Sequence, residues 1–256
     1  MLQGLGPVDP TEVSPNAAQV AFGSRMVAAN VNELATDLSS QVSSVSGQEP
    51  SAEAVTVKAR TMSDEVQRIA VSQAEAAEKD TTENDVANAT SDYLAVVSDC
   101  QTVSDQVKEI AVRLAEPRRI GWETIRHLIE SIKDRIGKLL TTLKSLIDKD
   151  AAALWRAITD FAEAVKDGAE DKIHSFLKNL SDRLRGFAAR LIGLIFSFAV
   201  WVQGIAERKN FNLKQLEVQL PTLQSELVNV GPLPLPIPKL TTPVITITFE
   251  PRSSTL

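Results

Sequence analysis

Apolar residues recur at steps of three and four over most of the first 210 positions of this chain, which is the spacing of one stripe along an α-helix. A first stripe reads Val20, Val27, Val31, Leu34, Leu38, Val42 and Val45. Ser14 followed by Pro15 supplies an N-cap and a proline at the first helical position, so a helix is expected over about 15–45. The turn-rich segment 46–50, SGQEP, interrupts it. A second stripe, Val55, Ala59, Met62, Val66 and Ile69, fades through the Ala/Glu/Asp-rich stretch 73–85. It resumes at Val86, Ala89, Tyr93, Val96, Cys100, Val103, Val107, Ile110 and Leu114. This predicts a helix over 51–115 with a weak middle where it can bend or break, ending at Glu116-Pro117 because proline disfavours helix in the residue before it.

The third pattern is the longest. It runs Trp122, Ile125, Ile129, Ile132, Ile136, Leu139, Leu143, Leu146, Leu154, Ile158, Phe161 and Val165, then Ile173, Phe176, Leu180, Leu184, Phe187, Leu191, Leu194 and Phe198. It predicts helix over 119–209, with a spacing close to 3.5 residues that suits a coiled coil or helical hairpin. Unbroken, about 90 residues would reach roughly 135 Å. The alternative is two or three shorter helices folded back on each other, with breaks near Lys149-Asp150 or at Gly168. Beyond Asn210 the character changes. Leu216, Val218 and Leu220 alternate with polar residues, GPLPLPIPKLTTP reads as extended or polyproline II chain, and VITITF at Val244–Phe249 reads as a β-strand. A lone strand needs a partner, and 214–220 is the nearest candidate in the chain, a strand of a neighbouring subunit the other. The expected fold is therefore mainly α. It is an elongated antiparallel helical bundle or coiled-coil hairpin with an apolar head and a short C-terminal β/extended segment. Its parts are a lead-in at 1–14, helices over 15–210, and a tail at 211–256 packed on the head.

Segment 191–206, LIGLIFSFAVWVQGIA, carries no charge over sixteen residues. If the second and third patterns paired as one continuous hairpin, opposed positions would sum to about 233, since both helices rise equally per residue. Segment 187–206 would then project past the end of the pair as the apolar head. Its nine Leu, Ile, Phe and Val residues contribute about −4 kcal/mol on an insertion scale. Sixteen helical residues span about 24 Å, short of a roughly 30 Å hydrocarbon core. Extension back to Phe187 makes the segment long enough, at the cost of including Arg190. The candidate membrane-contact or assembly residues are Phe187, Leu191, Leu194, Ile195, Phe196, Phe198, Val200 and Trp201. Arg185, Arg190, Arg208 and Lys209 are the candidate lipid head-group contacts, and Val244, Ile245, Ile247 and Phe249 the candidates for strand pairing. A helix apolar on every side is equally what the centre of a packed domain needs, so both readings stay open.

Composition narrows the chemistry. Net charge is −6, and residues 1–100 carry 15 Asp+Glu against 5 Lys+Arg, leaving the remainder mildly basic. The basic residues are interleaved with acids and lack an aromatic stacking set, which argues against nucleic acid. Cys100 is the only cysteine, so no intrachain disulfide forms. It falls on the apolar stripe, where a thiol is an inert small hydrophobe. The first residues, MLQGLGPVDPTEV, have neither a basic n-region nor an apolar h-region. No Sec signal peptide is expected, which fits a cytoplasmic protein or one exported by a non-Sec route. His127 and His174 stand far apart with no metal-ligand spacing around either, and no phosphate-binding, dinucleotide or nucleophile-elbow motif occurs. No enzyme, cofactor, metal or small-molecule substrate is expected.

Two functions follow. In one, the chain self-associates and contacts membrane through 187–206, a pore-forming or membrane-remodelling mode. Its architecture resembles that of the long-helix α-pore-forming toxins, which implies an apolar head released on lipid contact. In the other, the chain is a structural or assembly subunit in which 187–206 is an intersubunit or domain core. The expected partners are copies of itself or related helical chains, with lipid in the first case.

Overall fold

The computed structural model describes residues 15–45, 50–116, 121–143, 148–168, 170–230 and 233–250. Six helices precede four strands: α1 (Ala17–Val45), α2 (Pro50–Asp80), α3 (Glu83–Ala115), α4 (Trp122–Leu143), α5 (Asp148–Lys166), α6 (Glu170–Lys209), β1 (Leu213–Gln219), β2 (Leu223–Val230), β3 (Leu233–Leu240) and β4 (Val244–Phe249). The fold is mainly α. The chain divides into two compact units, 1–89 and 90–256. The lead-in 1–14 and the turn residues 46–49 lie outside the described residues.

In the first unit α1 starts two residues later than the Ser14-Pro15 pair predicts. Asn16 is the cap: its Oδ1 accepts from the Gln19 N–H at 2.9 Å, and the Gln19 Oε1 accepts from the Asn16 N–H at 3.0 Å. This reciprocal pair satisfies two amides that the first helical turn leaves open. α1 and α2 pack antiparallel, since Arg25 pairs with Glu78 at 3.2 Å and, further along α1, the Val31 carbonyl accepts from Ser63 at 3.2 Å. The faces that meet are small. α1 buries Ala18, Ala21, Phe22 and Ala28, and α2 buries Ser63, Ala70 and Ala74. The described members of the expected stripes lie off this seam. Val20, Val27 and Val31 are only half buried, and Met62, Val66 and Ile69 are exposed. Small side chains let two backbones approach closely, and apart from Phe22 the residues named on these faces are alanine and serine.

The helix expected over 51–115 is two helices. Thr82 caps α3: its Oγ1 accepts from the Asp85 N–H at 3.2 Å, and Asp85 Oδ2 accepts from the Thr82 N–H at 2.8 Å. Thr81 Oγ1 donates back to the Ala77 carbonyl at 2.9 Å and closes α2. Two adjacent threonines and an Asp three residues on form a capping box inside the weak stretch of the stripe.

In the second unit the long third pattern is three helices, so the folded-back alternative holds. α5 ends at Gly168, whose φ of 66° places it in the left-handed region that glycine enters without a Cβ clash. α3 and α4 run antiparallel, tied by Arg135 Nη1 to Asp99 Oδ1 at 2.5 Å and by Gln106 Nε2 to Ser131 Oγ at 2.8 Å. Those pairs sum to 234 and 237, so the expected register of about 233 holds for Asp99 with Arg135 and is off by about one turn for Gln106 with Ser131. The pairing stops where α4 stops, at Leu143, and α5 and α6 fold back from there. Every stripe residue of α3 from Tyr93 to Leu114, and Ile125, Ile129, Ile132, Ile136, Leu139 and Leu143 of α4, are buried.

The tail forms two antiparallel two-stranded sheets. β4 pairs with β1, the nearest candidate in the chain, with Leu216 opposite Ile247 and Val218 opposite Ile245. The Pro-rich stretch, expected as extended or polyproline II chain, is extended as the strand β3, in hairpin register with β2: Pro234, Pro236 and Pro238 face Asn229, Leu227 and Ser225.

Candidate functional site

Two features of the second unit hold the candidate contact residues: the apolar run on α6 and the strands of the tail. α6 ends in a double hydrogen-bonded turn. Asn210 sits at φ 56°, its N–H reaches the Glu207 carbonyl at 3.3 Å, and the Phe211 N–H reaches Ala206 at 2.9 Å. This left-handed cap satisfies the last carbonyls and aims the chain into β1. Arg208 and Lys209 occupy the last turn, where cations complement the helix dipole. Arg208 also folds back over Gly204, its guanidinium within 3.0 Å of where a Cβ would stand. Arg185 and Arg190 are exposed on the same helix.

Six of the eight candidate contact residues are interior. Phe187, Leu191, Leu194, Ile195, Phe198 and Trp201 are buried, whereas Phe196 is 55% and Val200 56% exposed. The Phe198 ring meets Tyr93 edge-on at 4.7 Å and stacks near Trp201 at 5.8 Å. The head therefore does not project past its partner helix: its middle lies beside the first turns of the second unit's α3. The reason is the fold-back, which brings α6 alongside α3 instead of extending α4. Burial raises the Tyr93 phenol far above its usual range and pushes the Cys100 thiol up to about 12, with Asp99 adding to the latter, so neither is a nucleophile. Among the described residues α6 is the one helix long and apolar enough to cross a membrane, and half of its most apolar window is buried.

The tail meets α6 through β3, upstream of the run. In a strand a residue's N–H and C=O point to the same edge and successive residues alternate. The Thr241 N–H reaches Thr222, which puts odd-numbered positions of β3 toward β2 and even-numbered positions toward the open edge. Pro234, Pro236 and Pro238 all fall on the open edge, where proline has no N–H to leave unpaired. Their carbonyls are taken up from the helices. Ser181 of α6 donates to Pro236 at 2.5 Å, and Ser104 of α3 donates to Pro238. The remaining edge amide, on Leu240, donates to Gln101 Oε1 at 2.7 Å. Ser104 and Ser181 are both buried, so each carbonyl also satisfies a hydroxyl that would be costly to leave alone. Lys108 fastens the other strand through Glu226 at 2.6 Å; that hydrogen bond holds the Glu226 carboxyl below its ordinary range. Sequence reasoning missed this edge, although prolines at every second position of GPLPLPIPKL are a readable signal that one edge dispenses with donors.

β4 is the counter-case. The Glu250 N–H reaches Asn212, so even-numbered positions of β4 face β1 and Ile245, Ile247 and Phe249 face outward. Among the described residues no group meets their outward N–H and C=O. The candidate strand residues thus divide: Val244 is on the β1-facing set, and the other three form the outer row.

His127 lies on the α4 surface near Glu123, at 3.8 Å, and His174 is half buried on α6. Among the described residues no cluster of His, Cys, Asp and Glu is placed to hold a metal ion. A shallow hollow of about 390 Å³ is lined by Asp64, Gln67, Arg68, Val71, Ser72 and Glu75, all from α2, so it brings together no groups from different elements. No family model, curated protein or solved structure matches this chain.

Proposed function

We propose that this chain is a non-enzymatic assembly module that acts by association with copies of itself or with related helical chains, and that 187–206 is the core of the module. The observation that supports this reading is the burial of Phe187, Leu191, Leu194, Ile195, Phe198 and Trp201 while the described charged residues of α6 take the solvent side. Releasing those side chains into lipid would mean giving up their packing, including the Phe198 contacts with Tyr93 and Trp201. Light scattering on the chain over a range of concentrations, together with flotation on neutral and anionic vesicles, tests it. Mass rising with concentration and no vesicle leakage is the expected result.

A second reading, membrane contact through the same helix, is favoured by one observation. Phe196 and Val200 stand one turn apart on the exposed side of an apolar run with arginines on both flanks. Dye release from anionic vesicles that disappears in Phe196→Asp with Val200→Asp would overturn the core reading in its favour. Those two positions are exposed, so the variant keeps its fold.

A further inference from the structure

We infer that the outer edge of β4 is a docking edge for the β4 of a second copy of this chain, the two strands pairing antiparallel about a two-fold axis at Ile247. The inference rests on the assembly reading above and names its contact. The outward row consists of Ile245, Ile247 and Phe249, and all three keep the N–H that the equivalent row of β3 has replaced with proline. In sequence Pro243 and Pro251 stand at the same alternation on either side, which limits the row to these residues. β1, β2 and β3 each carry a charged residue, whereas VITITF carries none, and uncharged edges are the ones other strands add to.

Parity and symmetry select both occupant and register. An isologous pairing must oppose outward residues to outward residues. Ile247 then faces Ile247 of the second copy, and Ile245 faces Phe249 in both directions. Every outward donor meets an outward acceptor, and no charge is brought against another. The opposed pairs are β-branched with β-branched and β-branched with aromatic, the combinations that stabilise neighbouring strands. The sheet itself gains. A two-stranded sheet is marginal in water, and this pairing makes it four-stranded with the apolar residues of both copies on one face.

The test is light scattering and analytical ultracentrifugation of the full chain and its variants. Ile247→Pro removes an outward N–H and leaves the β1–β4 ladder intact, as prolines at the matching positions of β3 do. It is expected to lower the mass of the associated form to that of one chain, with an unchanged far-ultraviolet circular dichroism spectrum. If that variant unfolds, Thr246→Lys with Thr248→Lys decides instead. It sets lysines of the two copies opposite each other while Glu217 faces position 246 within the chain. Under mild oxidation Ile247→Cys is expected to cross-link two copies and Ile245→Cys is not. A wild-type chain that stays monomeric at every concentration overturns the assembly reading itself. A wild-type chain that associates while Ile247→Pro associates equally, or cysteines at 245 and 247 that cross-link alike, overturns the β4 edge alone.

Discussion

α2 and α6 each carry an apolar stripe at helical spacing, and the two have opposite fates. On α6 the stripe is the interior: Ile173, Leu180, Leu184, Phe187, Leu191, Leu194 and Phe198 are all buried. On α2 the stripe is surface: Met62 is 68% and Ile69 55% exposed, while alanines and Ser63 meet α1. Periodicity tells which residues share a face, and neighbours decide whether that face is covered. α6 has α3, α5 and β3 against it; in its unit, α2 has the narrow alanine face of α1 as its long neighbour.

The largest effect that can break this comparison is Phe198→Ala. The loss of a buried ring beside Tyr93 and Trp201 should lower unfolding free energy by about 3–5 kcal/mol, measured by chemical denaturation. A loss near zero would mean the run is not interior. Next comes Ser104→Ala with Ser181→Ala, which leaves the Pro236 and Pro238 carbonyls without donors. A cost of about 1–3 kcal/mol for each is expected, with greater amide exchange in 223–240 and little change in α4. Thr82→Ala removes the cap that separates α2 from α3, and denaturation should register about 1 kcal/mol. By contrast, Met62→Gln with Ile69→Gln should change stability by no more than about 0.5 kcal/mol. A large loss there would show that the α2 stripe is covered in solution. The smallest effect is at Glu226. Its folded carboxyl titrates below the usual range because Lys108 bonds it, so its contribution is present at neutral pH and fades as pH falls through that depressed value. Side-chain carboxyl shifts followed by NMR should show the depression, and Lys108→Met should return it to an ordinary glutamate.

The second unit was largely legible in the sequence because large branched residues dominate its seams, so among the described residues the heaviest stripe follows the buried face from Tyr93 to Phe198, with Trp122 and Phe176 half buried. The β1–β4 pairing was legible for the same reason, two alternating runs with one plausible partner each. The first unit was not, since alanine contributes little to any hydrophobic count and yet sets the closest approach between α1 and α2. The break at Thr81-Thr82 was hidden by the strength of the stripes on both sides, although the residues of its capping box stand in plain order. Head placement failed for a different reason. The sequence stripe continues past Leu143, whereas α4 stops there and α5 and α6 fold back. The closed edge of β3 was unreadable as a fold because its partners, Ser104 and Ser181, are single serines more than fifty residues away along the chain.

That closed edge also sets an order of events during synthesis. Ser104 and Ser181 leave the ribosome well before Pro236 and Pro238 do. At roughly 5–20 residues per second, translating the stretch from Ser181 to Pro236 takes on the order of several seconds. Through that interval α3 and α6 carry hydroxyls whose acceptors do not yet exist, and water or the carbonyl one turn back must serve them. The hairpin is consequently fastened only after α3 to α6 have been made, with β4 still to follow, and ribosome-stalled chains ending before residue 233 should leave both serines without these acceptors.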